Sequence, residues 1–223
     1  MLLVLWDIDG TLVDGAGHGR HAFDDAYRAV TGREPAGQVQ MAGRTDRMIA
    51  MSMLDGDDTA VTPMLAELER ALAEREERIR AEGRALPGAE AALQALASRE
   101  GTVQSLLTGN LAANAALKLG AFGLQRWLDL EVGGYGSDPH ERRSDLVAVA
   151  RDRAAAKYSP AVDTVLVGDT PLDVSAAHEA GARAVAVASG PYGVDELRAA
   201  GADSVLPGLA DTAQVLAAVT RAT

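Results

Sequence analysis

The sequence predicts an α/β protein: a doubly wound, mostly parallel sheet with a block of helices inserted into it. Two observations carry that prediction. Five short runs of aliphatic and β-branched residues alternate with segments of helical periodicity, and three of these runs end in an acid or a hydroxyl. Alternation of this kind gives parallel strands covered by helices on both faces.

The first run is Leu2 to Trp6, at the head of "LLVLWDIDGTLVD". The others are Gly101–Thr108, Val162–Asp169, Ala182–Ser189 and the short Asp203–Leu206. Their near-continuous apolar character suits strands buried on both sides. Helical patterns fall between them, over Gly88–Ser98, Asn110–Leu119, Arg143–Ala156, Pro171–Ala180, Val194–Ala200 and Asp211–Ala218. Several close on glycine, in "KLG", "EAG" and "AAG", which is the chemistry of a helix C-terminus.

Residues 15–83 break the rhythm. "GRHAFDDAYRAVTG" and "TPMLAELERALAEREERIRAEG" each read as one amphipathic helix, and "MAGRTDRMIAMSML" reads as a loop running into a third. The expected organisation is a core formed by residues 1–14 and 84–223, with a helical domain over 15–83. Glycines bracket the insert, in "GAGHG" and at Gly83 and Gly88. They suit hinges and tight turns equally.

Composition narrows the function. A net charge of −11 leaves no basic stripe for nucleic acid. With no cysteine, disulfides and thiolate metal sites are excluded. No segment approaches a membrane span, and the N-terminal apolar run is too short for a signal peptide, so a cytoplasmic protein is expected. A monomer and a weak dimer both remain open.

Asp7, Asp9, Thr108 and Asp169 all fall at the C-terminal ends of predicted strands, the edge where open α/β sheets bind ligands. Residues i and i+2 of an extended chain share a side, so Asp7 and Asp9 can reach one ligand. Two charged, dry, unpaired carboxylates repel, and a divalent cation relieves the conflict. Oxygen-only ligands suit Mg²⁺. The turn at "DGT" can also aim the N–H groups of Gly10 and Thr11 at a phosphate.

"DIDGTLVD" resembles the first motif of the haloacid dehalogenase superfamily, "LLTGN" its second and "VGDTPLD" its fourth. The order and approximate spacing match over nearly the whole chain. The resemblance implies a Rossmann-like core, and the helical insert after the first motif implies a cap like that of phosphoglycolate phosphatase-like members. The implied reaction is Mg²⁺-dependent hydrolysis of a small phosphate monoester. Asp7 is then the nucleophile and Asp9 the acid–base, with Thr108 bonded to the phosphoryl group. The implied metal residues are Asp7, Asp9 through its carbonyl, Asp169 and Asp173. Gly109 and Asn110 follow Thr108 in the second motif and belong to the implied phosphate site.

One motif departs from the family. The third usually supplies a lysine ahead of the helix that precedes "GDT", but "SDPHERRSDLVAVA" has none. Only Lys118 and Lys157 are lysines; the first belongs to an earlier helix and the second lies too near Asp169. Arg142 and Arg143 are the available cations, and Arg143 fits the spacing better.

In "GRTDR", Arg44, Thr45 and Arg47 can meet a second anionic group of the substrate, or Thr45 can simply cap a helix. A haloalkanoate dehalogenase needs no second acid, and a phosphonatase needs a cap lysine that residues 15–83 lack. A β-phosphoglucomutase-like mutase would need a cap histidine, for which His18 and His21 flank the expected place. A phosphate-binding module without turnover is the remaining alternative. His140 and His178 read as isolated surface or helix residues.

Overall fold

The computed structural model describes residues 1–37, 39–139, 142–158 and 163–221. In chain order the elements are β1 (Leu2–Trp6), β2 (Val13–Asp14), α1 (His18–Thr31), α2 (Asp46–Met53), α3 (Val61–Ala73), α4 (Glu76–Glu82), β3 (Arg84–Ala85), α5 (Ala89–Ala97), β4 (Thr102–Leu106) and α6 (Ala112–Ala121). They continue with α7 (Arg143–Lys157), β5 (Asp163–Gly168), α8 (Pro171–Glu179), β6 (Arg183–Val187), α9 (Val194–Ala199), β7 (Ser204–Leu206) and α10 (Thr212–Thr220). Val162, counted into a strand on sequence, and His140 lie outside the described residues.

Five strands pair in parallel in the order β4-β1-β5-β6-β7. The doubly wound sheet expected from sequence is therefore present. β1 lies between β4 and β5, so the chain reverses its winding there, and such a switch point is where α/β sheets open a crevice. Register levels the strand ends: Trp6 stands opposite both Leu106 and Val167. Asp7, Thr108 and Asp169 leave the sheet one or two residues later, side by side.

Alternation along β1 sorts its side chains into two cores. Val4 and Trp6 face Leu93 and Leu96 of α5, Leu119 of α6 and Val215 of α10. Leu3 and Leu5 face Leu146 and Val147 of α7, Val174 of α8 and Leu197 of α9. These β1 side chains are inaccessible to solvent, and each such aliphatic side chain contributes roughly 1.5–3 kcal/mol by burial. Two polar groups buried in the sheet bond each other and the backbone: Trp6 Nε1 donates to Gln104 Oε1 at 3.1 Å, and Gln104 Nε2 donates to the Leu93 carbonyl at 2.8 Å.

A third apolar cluster joins Phe23 and Tyr27 of α1, Ile49 of α2, Met64, Leu68 and Leu72 of α3, Ile79 of α4 and Leu111 before α6. The single helix expected over 62–83 is instead two, parted at Glu74–Arg75. The Arg75 N–H bonds the Leu72 carbonyl, and this tightened turn redirects the chain so that Ile79 returns to the cluster. Arg75 also pairs with Asp25 of α1 across the bend. Pattern alone continued the helix, and packing broke it.

The antiparallel ribbon β2–β3 was not expected. It pairs Val13 with Ala85 and Asp14 with Arg84, at the two crossings between the helical residues and the sheet. Two-residue strands carry too short an alternation to be read. No helix among the described residues is long and apolar enough to cross a membrane.

Candidate active site

The site lies at the C-terminal edge of β1, β4 and β5, beneath α1–α3. Asp7 follows β1 directly and is buried. Asp169 follows β5, and Asp173 sits in the first turn of α8. Oxygens of Asp7, Asp169 and Asp173 all lie within 4.8 Å of one another.

Thr170 and Asp173 form a reciprocal cap on α8. The Thr170 hydroxyl accepts from the Asp173 N–H at 3.2 Å, and the Asp173 carboxylate accepts from the Thr170 N–H at 3.0 Å. Thus "GDTPLD" fixes Asp173 by helix-capping chemistry. Asp169 is held by the Thr11 hydroxyl, which donates to its Oδ1 at 3.2 Å. Glycine makes room for it: a Cβ at Gly190 would lie 1.7 Å from Asp169 Oδ2, and one at Gly10 would lie 2.4 Å away. Gly10 also has φ +83°, a left-handed conformation that costs glycine little.

Arg143 stands at the start of α7 and reaches the acids. Its Nη2 lies 2.9 Å from Asp7 Oδ1 and 2.6 Å from Asp173 Oδ1, and its side chain is 8 % exposed. Its buried Nε has no partner among the described residues, which leaves one guanidinium donor available. Arg142 instead pairs with Asp145 at the surface, 2.8 Å away.

Asp9 faces the cavity and is held by two groups. Lys118 Nζ donates to its two oxygens at 2.8 and 2.7 Å and to Asn110 Oδ1 at 2.7 Å. Asn110 Nδ2 donates to Asp9 Oδ2 and to the Thr108 hydroxyl, both at 2.8 Å. Thr108, Asn110, Asp9 and Lys118 thus form one network. Lys118 was set aside on sequence because it lies far from the third motif. A signal was present: Asn114 and Lys118, four apart, are buried polar residues on the otherwise apolar α6.

Asp46, the first residue of α2, is the other group that sequence reasoning missed. It is buried, and its N–H donates to the Gly109 carbonyl at 2.8 Å. Its carboxylate accepts from the Leu111 N–H at 2.9 Å. A Cβ at Gly109 would come within 2.2 Å of the Arg44 carbonyl, so glycine there lets this loop seat on the sheet edge. Arg143 Nη1 adds a bond to the Gly43 carbonyl at 3.3 Å.

Five of the expected substrate contacts bond elsewhere within the protein. The Gly10 N–H donates to the Val13 carbonyl at 3.0 Å and the Thr11 N–H to the Ile8 carbonyl at 3.2 Å, so the turn itself consumes both. The Arg44 guanidinium turns outward to the carbonyls of Gln40 and Met48 and to Ser52 Oγ. The Thr45 hydroxyl caps α2, accepting from the Met48 N–H at 3.2 Å. Arg47 pairs with Asp58. Thr108, Gly109 and Asn110 do line the cavity, a space of about 280 Å³ that also reaches Asp7, Asp9 and Asp169. Of the histidines, His18 is buried against Glu82 and His178 contacts Asp203; neither lines the cavity.

Burial pushes the Asp7 carboxyl up to about 7 against the opposing pull of Arg143. Burial, then repulsion from Asp7 and Asp173, pushes Asp169 up to about 8. Burial would also raise Asp9, but the Lys118 ammonium and the Asn110 amide outweigh it and hold that carboxyl below its usual range. Three crowded carboxylates facing one guanidinium form a hard oxygen donor set with excess negative charge, and that set fits a divalent cation.

A pH prediction follows with a definite sign. Folded-state values for Asp7 and Asp169 lie above the ordinary 3.8, so the fold binds their protons more tightly than the unfolded chain does. Their contribution to stability is complete below about pH 4 and is lost as pH rises through 7 to 8. The Tm of chelator-treated protein should therefore fall between pH 5 and 8. A saturating divalent cation should raise it by roughly 5–10 °C at pH 8 and by less at pH 5.5, for a binding term of about 3 kcal/mol. A cation-induced shift that does not grow with pH would refute the assignment of these acids as its ligands.

The parallel sheet, the acids at its edge and the helices above them define a hydrolase of the haloacid dehalogenase-like class. The family model for haloacid dehalogenase-like hydrolases matches residues 4–178, and the chain belongs to that family. It is 28% identical over 207 residues to a protein named Probable phosphatase IndB from Dickeya dadantii (strain 3937), covering 89% of this chain and 86% of that one. In fold it is similar to a predicted phosphatase from Clostridium acetobutylicum, with TM-score 0.74 and 20% identity over 96% of this chain and 97% of the other. A hydrolase from Pseudomonas syringae has TM-score 0.72 and 23% identity over the same shares.

Proposed function

We propose that the protein is a Mg²⁺-dependent phosphatase that hydrolyses a small phosphate monoester through a phosphorylated Asp7. The observation that carries this reading is the second carboxylate. Asp9 stands at the cavity two residues after Asp7, in one network with Thr108. A halide would leave without a proton, whereas an alkoxide needs one, and Asp9 is the group placed to give it.

In this reading residues 15–83 form a cap over a core of residues 1–14 and 84–223. Asp7, Asp169 and the Asp9 carbonyl would hold the cation, which when bound would offset phosphoryl charge and align the ester. Asp173 would support it from nearby, its oxygens also accepting bonds from Arg143 and Thr170. An Asp7 oxygen attacks phosphorus and the P–O bond to the leaving group breaks. The proton from Asp9 passes to that oxygen. Asp9, now charged, takes a proton from water, whose oxygen attacks the phosphorylated Asp7 and releases phosphate. Lys118 favours the charged form of Asp9 needed for the second half. It must yield one carboxylate oxygen for the first.

Arg143 neutralises Asp7 as the anionic ester approaches, and Thr108 bonds a phosphoryl oxygen. EDTA should abolish hydrolysis of p-nitrophenyl phosphate and added Mg²⁺ should restore it. Full turnover in the chelator would sink the metal-dependent reading.

A further inference from the structure

The part of the cavity beyond Asp9 holds the leaving group, and its chemistry limits what that group can be. Its walls on the helical side are apolar: Phe23, Ile49, Leu68 and Leu72. Its polar groups are Asp46, Asn114 and Lys118. Lys118 has three N–H donors, and Asp9 and Asn110 take all three. Arg143 is committed to Asp7 and Asp173 on the phosphoryl side. Arg44 lines the cavity, yet its guanidinium is turned to the Gln40 and Met48 carbonyls and Ser52. Among the described residues, no uncommitted cation faces the leaving group, and a buried carboxylate does.

We infer that the enzyme selects phosphate monoesters of uncharged alcohols, with an apolar face against Phe23 and Leu72 and a hydroxyl donating to Asp46, and rejects esters whose leaving group carries a second anionic group. The inference rests on the phosphatase reading and deepens it. Asp46 is the specificity-determining residue. A leaving-group carboxylate beside it meets a like charge in a partly desolvated space, with the Lys118 donors taken by Asp9 and Asn110 and the Arg44 guanidinium turned away. A hydroxyl there finds an acceptor. Asp46 accepts from the Leu111 N–H and from the Asn114 side chain, and a carboxylate has further lone pairs.

The test compares esters that differ in one group: glycerol 3-phosphate against 3-phosphoglycerate, and 2-hydroxyethyl phosphate against 2-phosphoglycolate. Initial rates are measured with Mg²⁺ at fixed ionic strength. The uncharged member of each pair should have a kcat/KM at least tenfold higher. In Asp46→Asn, which keeps an acceptor for Leu111, the ratio should fall several-fold toward one. Turnover of both members with a ratio near one, or a preference for the acid, overturns the selectivity and leaves the phosphatase reading intact. A large ratio that persists unchanged in Asp46→Asn removes Asp46 as its source. If that variant does not fold, the wild-type ratios still decide the selectivity. Failure to hydrolyse any of the four esters or p-nitrophenyl phosphate overturns the phosphatase reading, and this inference with it.

Discussion

Asp7→Asn should lower kcat by on the order of 10⁴-fold or more while leaving the fold intact. The carboxamide is a poor nucleophile toward phosphorus, and its NH₂ donates where the proposed cation needs an oxygen. Asparagine matches the volume of aspartate in a buried position at the end of β1, so packing against the sheet is preserved. Asp9→Asn separates the roles. It leaves the nucleophile in place and removes acid–base transfer, so turnover should fall by about 10²–10⁴-fold with phosphate-analogue binding retained. Beryllofluoride should form an adduct with the parent and with Asp9→Asn but not with Asp7→Asn, as followed by ¹⁹F NMR. Turnover of Asp7→Asn within tenfold of the parent would take the nucleophile's role from this residue.

Arg143→Ala should lower kcat/KM by about 10²–10³-fold. The guanidinium bridges Asp7 and Asp173, all three side chains being buried, and there one ionic contact carries far more than it does at the surface. Its removal leaves two buried carboxylates without their counter-ion, so stability should also fall, by about 3–5 kcal/mol near neutral pH. That loss should shrink at low pH, where Asp7 becomes protonated, since its folded value is near 7. Arg143→Lys should recover only part of the activity, because an ammonium on a shorter stem lacks the planar fork. Arg142→Ala is the control. Its partner Asp145 is met at the surface, and such a pair contributes about 0–1 kcal/mol and nothing to the site. If Arg142→Ala proves as damaging as Arg143→Ala, the guanidinium on Asp7 is not the functional cation.

The contrast between these two arginines shows where the sequence stopped being informative. Neighbours in the chain, they part at the start of α7: Arg142 is the extended residue before the helix and pairs with Asp145 at the surface, whereas Arg143, the first helical residue, reaches Asp7. Spacing to Asp169 favoured Arg143, but only the packing of α7 on β5 and α8 decided it. Lys118 is on the earlier helix that the sequence indicated, yet it reaches the site. It was judged by its distance along the chain from the third motif, whereas α6 carries it back over the end of β1. Asp46 gave no motif at all, because its position depends on a helical block settling on a sheet edge.

What the sequence determined by itself was local or periodic. Alternating apolar runs specified the parallel sheet, since a strand buried on both faces must be apolar throughout. The acids at strand ends announced a site, because two carboxylates at i and i+2 share a direction and need a counter-charge. The Thr170–Asp173 cap could form from four consecutive residues. Tertiary structure alone decided which cations meet which acids and where the helix over 62–83 breaks. It also decided which side chains surround the cavity. Those outcomes depend on contacts between residues 30 to 160 positions apart, and periodicity within a segment carries no information about the partner that will cover it.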